Sequence, residues 1–229
     1  MSKQIYKDKF YTHFDKKKYH TNYEQSVQNI NWVSRHGFYP FIHFQMDCSK
    51  YTNDLEGNKF IKEKNRDIYY AAHIDRFIYE YYGNRLNSKY NNYMKSKGIG
   101  RVSTAYRNCS PGKCNIDFAK EVFEYIAKCE SAYIFVGDFS KFFDNLDHRY
   151  LKEKIKCVVG EKSLDVADYA IYKNITKFTY VEAEDIEAEK GLFRRDMREL
   201  DKYFETDEFH DFKKKHLHKN SKDYQIPQG

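Results

Sequence analysis

The run Ala132-Tyr-Ile-Phe-Val-Gly-Asp138 narrows what this chain can fold into more than any other stretch. It is short, rich in aromatic and β-branched residues, and bounded by polar sequence. Such a run reads as a buried central strand, and a buried strand carries the residue at its tip to the edge of a sheet. Here that residue is a carboxylate, Asp138. Phe139-Ser-Lys-Phe-Phe-Asp144-Asn-Leu-Asp147-His148 follows, a polar turn in which Asp147 is placed to cap a helix over 147–159.

The flanking sequence supplies the other elements. Residues 1–37 read as an irregular arm with a helix near Tyr23 to Val33. Phe38 to Asp47 and Phe60 to Tyr70 read as strands around the turn cluster Asn53 to Asn58, a β-hairpin. Phe77, Ile78, Tyr81, Tyr82, Leu86, Tyr90 and Met94 recur at helical spacing, which predicts a helix from Asp75, its expected N-cap, to about Lys97. A second amphipathic helix is expected over Asn115 to Cys129, with Ile116, Ala119, Val122, Phe123 and Ile126 on one face. Helices are also expected over about 163–178 and 191–215, with an acidic stretch at 181–190 between them.

Strands and helices together make an α+β protein. With 41% hydrophobic and 18% aromatic residues, its 229 residues can bury a core and are not a disordered chain. Only 3 Pro and 10 Gly argue against a turn-rich all-β fold. No apolar run approaches the 18 or more residues of a membrane span, and the lysine-studded N-terminus lacks the apolar stretch of a secretory signal. Five cysteines without a Cys-x-x-Cys pair are expected to be free thiols in a reducing cytoplasm. Cys109 and Cys114 have no second cysteine pair with which to hold zinc. The net charge of +6 suits a polyanionic partner.

Four stretches, in order, resemble a known family. Asp138 to His148 is similar to the first palm motif of reverse transcriptases, close to D-[IF]-[KS]-x-[FC]-F-D-x-[IL]-[DP]-H, in the bacterial retron, group II intron and defence-associated types. Arg66-Asp67-Ile68 with His73-Ile-Asp75-Arg76 is similar to a fingers segment, and Ala105-Tyr106-Arg107-Asn108 to the block upstream of the palm. Tyr224-Gln-Ile-Pro-Gln-Gly229 is similar to the start of the second palm motif. The resemblance implies the fingers and partial palm of a right-hand polymerase, an antiparallel sheet packed with helices. It divides the chain into an N-terminal extension at 1–37, fingers at 38–130 and a partial palm at 131–229 with a charged helical insertion at 181–223.

The same resemblance implies RNA-directed DNA synthesis, with a role in antiphage defence among the family's types. Two-metal nucleotidyl transfer wants hard oxygen ligands for Mg2+, with Mn2+ as the alternative ion. Asp138 is then the catalytic carboxylate and metal ligand, with the Phe139 backbone carbonyl beside it. Phe143 is the ring under the sugar, Arg66 and Lys64 reach the triphosphate of a dNTP, and Gln228 lines the incoming nucleotide. Tyr106 and Arg107 contact nucleic acid. The expected partners are an RNA template, a DNA primer, dNTPs and a structured non-coding RNA, with no membrane. The sequence departs from the family in holding no Asp-Asp pair, which the family carries in a [YF]-x-D-D hairpin. The chain is therefore expected to be the N-terminal part of a polymerase, inactive by itself. The alternative is a non-catalytic nucleic-acid-binding module, and Asp144, Asp147, Asp75 and Arg76 are expected to be structural.

Overall fold

A computed structural model describes residues 8–54, 56–105, 107 and 112–229. Tyr106, one of the expected nucleic-acid contacts, lies outside them. Two short helices, α1 (Glu24–Gln28) and α2 (Ile30–Ser34), stand where one helix is expected. The break falls at Asn29, whose side chain accepts a hydrogen bond from the Trp32 amide and so caps α2. Strands β1 (Phe41–Asn53) and β2 (Lys59–Tyr70) form the hairpin, paired along their whole length from Ile42–Tyr70 to Asn53–Lys59. Its turn closes because the Asp54 carboxylate accepts from the Glu56 and Asn58 amides while Gly57 takes a left-handed φ of 86°.

After the hairpin come α3 (His73–Ser96), α4 (Asn115–Ile126), α5 (His148–Val159) and α6 (Val166–Thr176). Strand β3 (Thr179–Glu182) runs straight into α7 (Ala183–Lys190), and α8 (Thr206–His216) leads to the two-residue strand β4 (His218–Lys219). The expected helix over 191–215 is thus only a 3-10 turn at Asp196–Glu199 and α8.

The sheet is mixed, not antiparallel throughout. Its order is β2-β1-β3-β4, and β3 lies parallel to β1 with Phe41 opposite Tyr180 and His43 opposite Glu182. Parallel pairing needs a long crossover, here the whole stretch from α3 to α6, which returns the chain to the same end of the sheet.

One face of the sheet carries Ile42 and Val181 into a core with Phe14, Ile186, Met197, Phe204 and Phe212. The other carries Phe41 and Tyr69 onto Phe178. A third cluster joins α1 and α2 to α3 and α6 through Val27, Val33, Phe77, Ile78 and Ala167.

The N-terminal arm is woven into these cores. The Thr12 hydroxyl donates to the Met197 carbonyl, and the Tyr203 amide donates to the His13 carbonyl. Asp15, 5% exposed, accepts from the amides of His73 and Ile74 through its two oxygens. It is therefore Asp15, from 58 residues away, that caps α3. Asp75, the expected cap, sits in the first turn of the helix, buried, receiving the Tyr39 amide and facing His36 Nε2 at 2.6 Å. Burial raises its carboxyl to about 6.

His13 is wholly buried, accepts the Phe14 amide on Nδ1 and faces the Tyr70 carbonyl with Nε2. Burial pushes its pKa down to about 3. The unfolded chain therefore protonates at this position first. The stability that neutral His13 contributes is full above pH 6.5 and is lost as pH falls towards 3, by about 1.4 kcal/mol per unit. In urea denaturation from pH 7.5 to pH 5, the wild type should lose about 2 kcal/mol more than His13→Gln, which has no imidazole to protonate. A difference that stays constant with pH would contradict burial of a neutral ring.

The largest departure concerns residues 132–138. They are irregular and exposed, with Tyr133 100%, Phe135 90% and Val136 87% exposed. A strand must pair its amides and carbonyls, and the places beside β1 are taken by β2 and β3. Helix α4 forms where expected, yet Ile116, Val122 and Phe123 on its apolar face are also exposed.

Among the described residues no helix is long and apolar enough to cross a membrane.

Candidate functional site

Three of the resembling stretches meet at one place. The turn before α5 and the segment 223–229 are stitched together by backbone bonds. The Ile226 amide donates to the Phe143 carbonyl at 2.9 Å, the His148 amide donates to the Asp223 carbonyl at 3.0 Å, and Asp147 and Tyr224 form an antiparallel bridge. The same segment reaches the base of the hairpin, where the Tyr69 amide donates to the Gln228 carbonyl at 2.7 Å. Gln228 thus lies beside the open edge of β2, and Phe143 is joined to the same strand-like segment two residues before it.

Side chains lock the junction. Asp147 caps α5 by accepting from the Tyr150 amide at 2.6 Å, as its position predicts. His148, buried at the first turn of α5, faces the Gln225 carbonyl with Nε2 at 2.7 Å, and the Tyr172 hydroxyl donates to the His148 carbonyl. The Asn220 amide group donates to the Thr176 carbonyl at 3.0 Å and lies within 3.4 Å of the carbonyls of Tyr224 and Gln225. Gln225 holds a left-handed φ of 81° and donates from Nε2 to Asp144 at 3.4 Å. Apart from the Asp147 cap, these pairings have no local signal in sequence, because their partners stand 24 to 81 residues apart or supply only backbone.

A carboxylate-rich patch adjoins the junction. His43 bridges Glu182 on β3 (2.6 Å from Nδ1) and Asp67 on β2 (3.2 Å from Nε2). Tyr69 packs against His43, and its hydroxyl is pushed well above its ordinary pKa, first by burial and then by Tyr180, Asp67, Glu182 and Asp144. His43, Tyr69, Asp67 and Glu182 share one face of the sheet.

Lys64 and Arg66 emerge on the opposite side. Their cross-strand partners are Cys48 and Met46, and strand alternation puts them with Lys50 and Lys62 on the face that leads down to Phe44 and Tyr70. All four cations belong to the outer hairpin, and among the described residues none has an ion-pair or side-chain hydrogen-bond partner. The ribbon is two-faced: free cations on one side, and Asp47, Glu63 and Asp67 on the other.

Asp138 and Phe139 lie in the exposed 132–140 stretch; the Phe139 ring stands 6.3 Å from that of Phe142, beside Phe143, and among the described residues Asp138 has no hydrogen-bond or ion-pair partner. The structure thus joins Phe143 and Gln228, and brings neither Asp138 nor Arg66 and Lys64 to them. Arg107 is turned inward. It donates to Asn91 Oδ1 and to the carbonyls of Gly100 and Ser103, bracing the loop after α3. Among the described residues no group of three His, Cys, Asp or Glu side chains can hold a metal ion. One isolated carboxylate does not make a divalent-ion site, so these residues by themselves do not fit Mg2+. No protein-family model matches the chain, and no curated protein matches it.

Proposed function

We propose that this chain supplies the fingers and part of the palm of a reverse-transcriptase-type nucleotidyltransferase. The observation that carries the reading is the convergence of three motifs, distant in sequence, on one junction: the end of β2, Phe143 to His148, and Ile226 to Gly229. A polymerase needs the sugar-contacting ring, the segment lining the incoming nucleotide and the base of a mobile hairpin in one place, and this junction supports that arrangement.

In this reading Phe143 and Gln228 form the floor for the sugar and base of a dNTP. The outer hairpin carries Lys62, Lys64 and Arg66 to phosphates of the nucleotide or template, since a guanidinium suits bidentate phosphate contacts. The reading requires the ribbon to bring its basic side over the site when nucleotide binds. Asp138 is the one carboxylate these motifs would contribute to a divalent-ion site, and two-ion chemistry would need further carboxylates beside it. The RNA template, the DNA primer and any structured RNA partner belong to the same proposal.

A second reading needs only the ribbon. Four unpaired cations on one face bind a polyanion without any catalytic carboxylate, so a non-catalytic nucleic-acid-binding module is the alternative. Both readings place phosphates on the same face, and nucleotide incorporation separates them. Replacing Lys62, Lys64 and Arg66 together by Gln should weaken binding of a single-stranded oligonucleotide, measured by fluorescence anisotropy. It should also flatten the slope of log affinity against log salt by about 2, at about 0.7 per lost phosphate contact. An unchanged slope and affinity would remove the ribbon from both readings.

A further inference from the structure

Two surfaces of this chain lack a partner, and each fits the other. The first is the run Tyr133-Ile-Phe-Val136, four large apolar residues in succession standing in water. Soluble proteins do not keep such a run exposed without a use for it.

The second is a cavity of about 530 Å³ enclosed by α3, α5, α6 and the base of β2. Its wall is mostly apolar and aromatic, with Phe41, Tyr79, Leu86, Ile155, Val159 and Ile171 among the residues that form it. Tyr82 also lines it, 4% exposed, and its hydroxyl has no hydrogen-bond partner among the described residues. A buried tyrosine hydroxyl ordinarily has one. The cavity thus has unfilled apolar walls.

The chain's own connections bring the two together. Phe143 is pinned to Ile226, and the next residues, Pro227 and Gly229, stand on the cavity wall. From that anchor seven residues lead back to Val136, a reach of about 23 Å when extended. The run is therefore tethered beside the cavity it would fill.

We propose that the cavity is the seat of the chain's own Tyr133–Val136 segment, which docks there as an extended strand. Docking covers the exposed run, fills the apolar cavity, and draws Asp138 from the solvent to the junction of Phe143 and Gln228. The last consequence rests on the nucleotidyltransferase reading. The docking itself does not, and so it is tested without any catalytic assay.

The test is peptide-resolved alkylation of Val136→Cys in the native chain. The substitution lies on the surface and does not threaten folding. Cys114 and Cys129, both exposed, serve as internal references, and each rate is normalised to that in urea. Docking predicts that the introduced thiol reacts at least tenfold more slowly than the references. It also predicts that adding Gly83→Leu restores its rate to within about twofold of theirs. Gly83 lines the cavity, a Cβ there meets nothing within 4 Å, and the added side chain would occupy the seat. Thermal melting confirms that Gly83→Leu remains folded. Three results would each overturn the proposal: an introduced thiol as reactive as the references, protection that Gly83→Leu leaves intact, or protection that rises with protein concentration, which would assign the run to a second copy of the chain.

Discussion

Asp15→Ala should lower the stability of this protein by about 3 kcal/mol. The carboxylate is buried and takes two amides, those of His73 and Ile74, at 3.1 and 3.0 Å. These are among the four amides that a helix cannot satisfy from within. Losing a cap costs about 1 kcal/mol where water can replace it. Here water cannot, and each buried amide left unpaired costs about 1–3 kcal/mol. The negative charge also faces the positive end of a 24-residue helix, an interaction worth up to about 2 kcal/mol when partly buried. For a chain of this length the melting temperature should fall by about 6–12 °C. Asp15→Asn, which keeps one acceptor oxygen, should lose less than half as much. A melting temperature within about 2 °C of wild type for Asp15→Ala would show that the arm does not hold α3.

The arm shows where sequence reading runs out. The hairpin is legible because its signals are local: two strand-like runs around a polar turn of Asn, Asp and Glu with Gly57 at the one position that needs a left-handed φ. Helix α5 is legible for the same reason, since Asp147 caps it from the adjacent residue. The cap of α3 is not, because Asp75 satisfies the pattern while Asp15 makes the bonds. Nor is the parallel pairing of β1 with β3 legible, since four residues of strand between α6 and α7 carry little periodicity. In the site, the residue types of Phe143 and Gln228 are readable as motifs. The bonds that join them to β2 run through backbone and leave no trace in side-chain identity. The run at 132–138 reads as a buried strand because it is apolar, but burial also requires a neighbour, and the run pairs with neither edge of the sheet.

Under the proposed nucleotidyltransferase reading, Asp138→Asn should leave the fold untouched and abolish nucleotide incorporation at the completed ion site. The side chain is exposed and has no partner among the described residues, so the substitution should change stability by no more than about 0.5 kcal/mol. Under the nucleotidyltransferase reading its charge is what the site uses, and Asn keeps the shape while removing that charge. Hard divalent ions bind through charged oxygens. Losing several kcal/mol of charge stabilisation corresponds to a fall on the order of 10³-fold in rate. Unchanged melting together with full activity would refute the assignment of Asp138. Loss of both melting temperature and activity would make it a structural residue.

The most direct measurement is extension of a DNA primer on an RNA template. It is made on these 229 residues joined to a segment that carries a [YF]-x-D-D carboxylate pair, in the presence of dNTPs and Mg2+. The account predicts template-dependent incorporation of deoxynucleotides that Asp138→Asn removes. Tight, salt-sensitive binding of the primed template with no incorporation would contradict it, and would leave the chain a nucleic-acid-binding module.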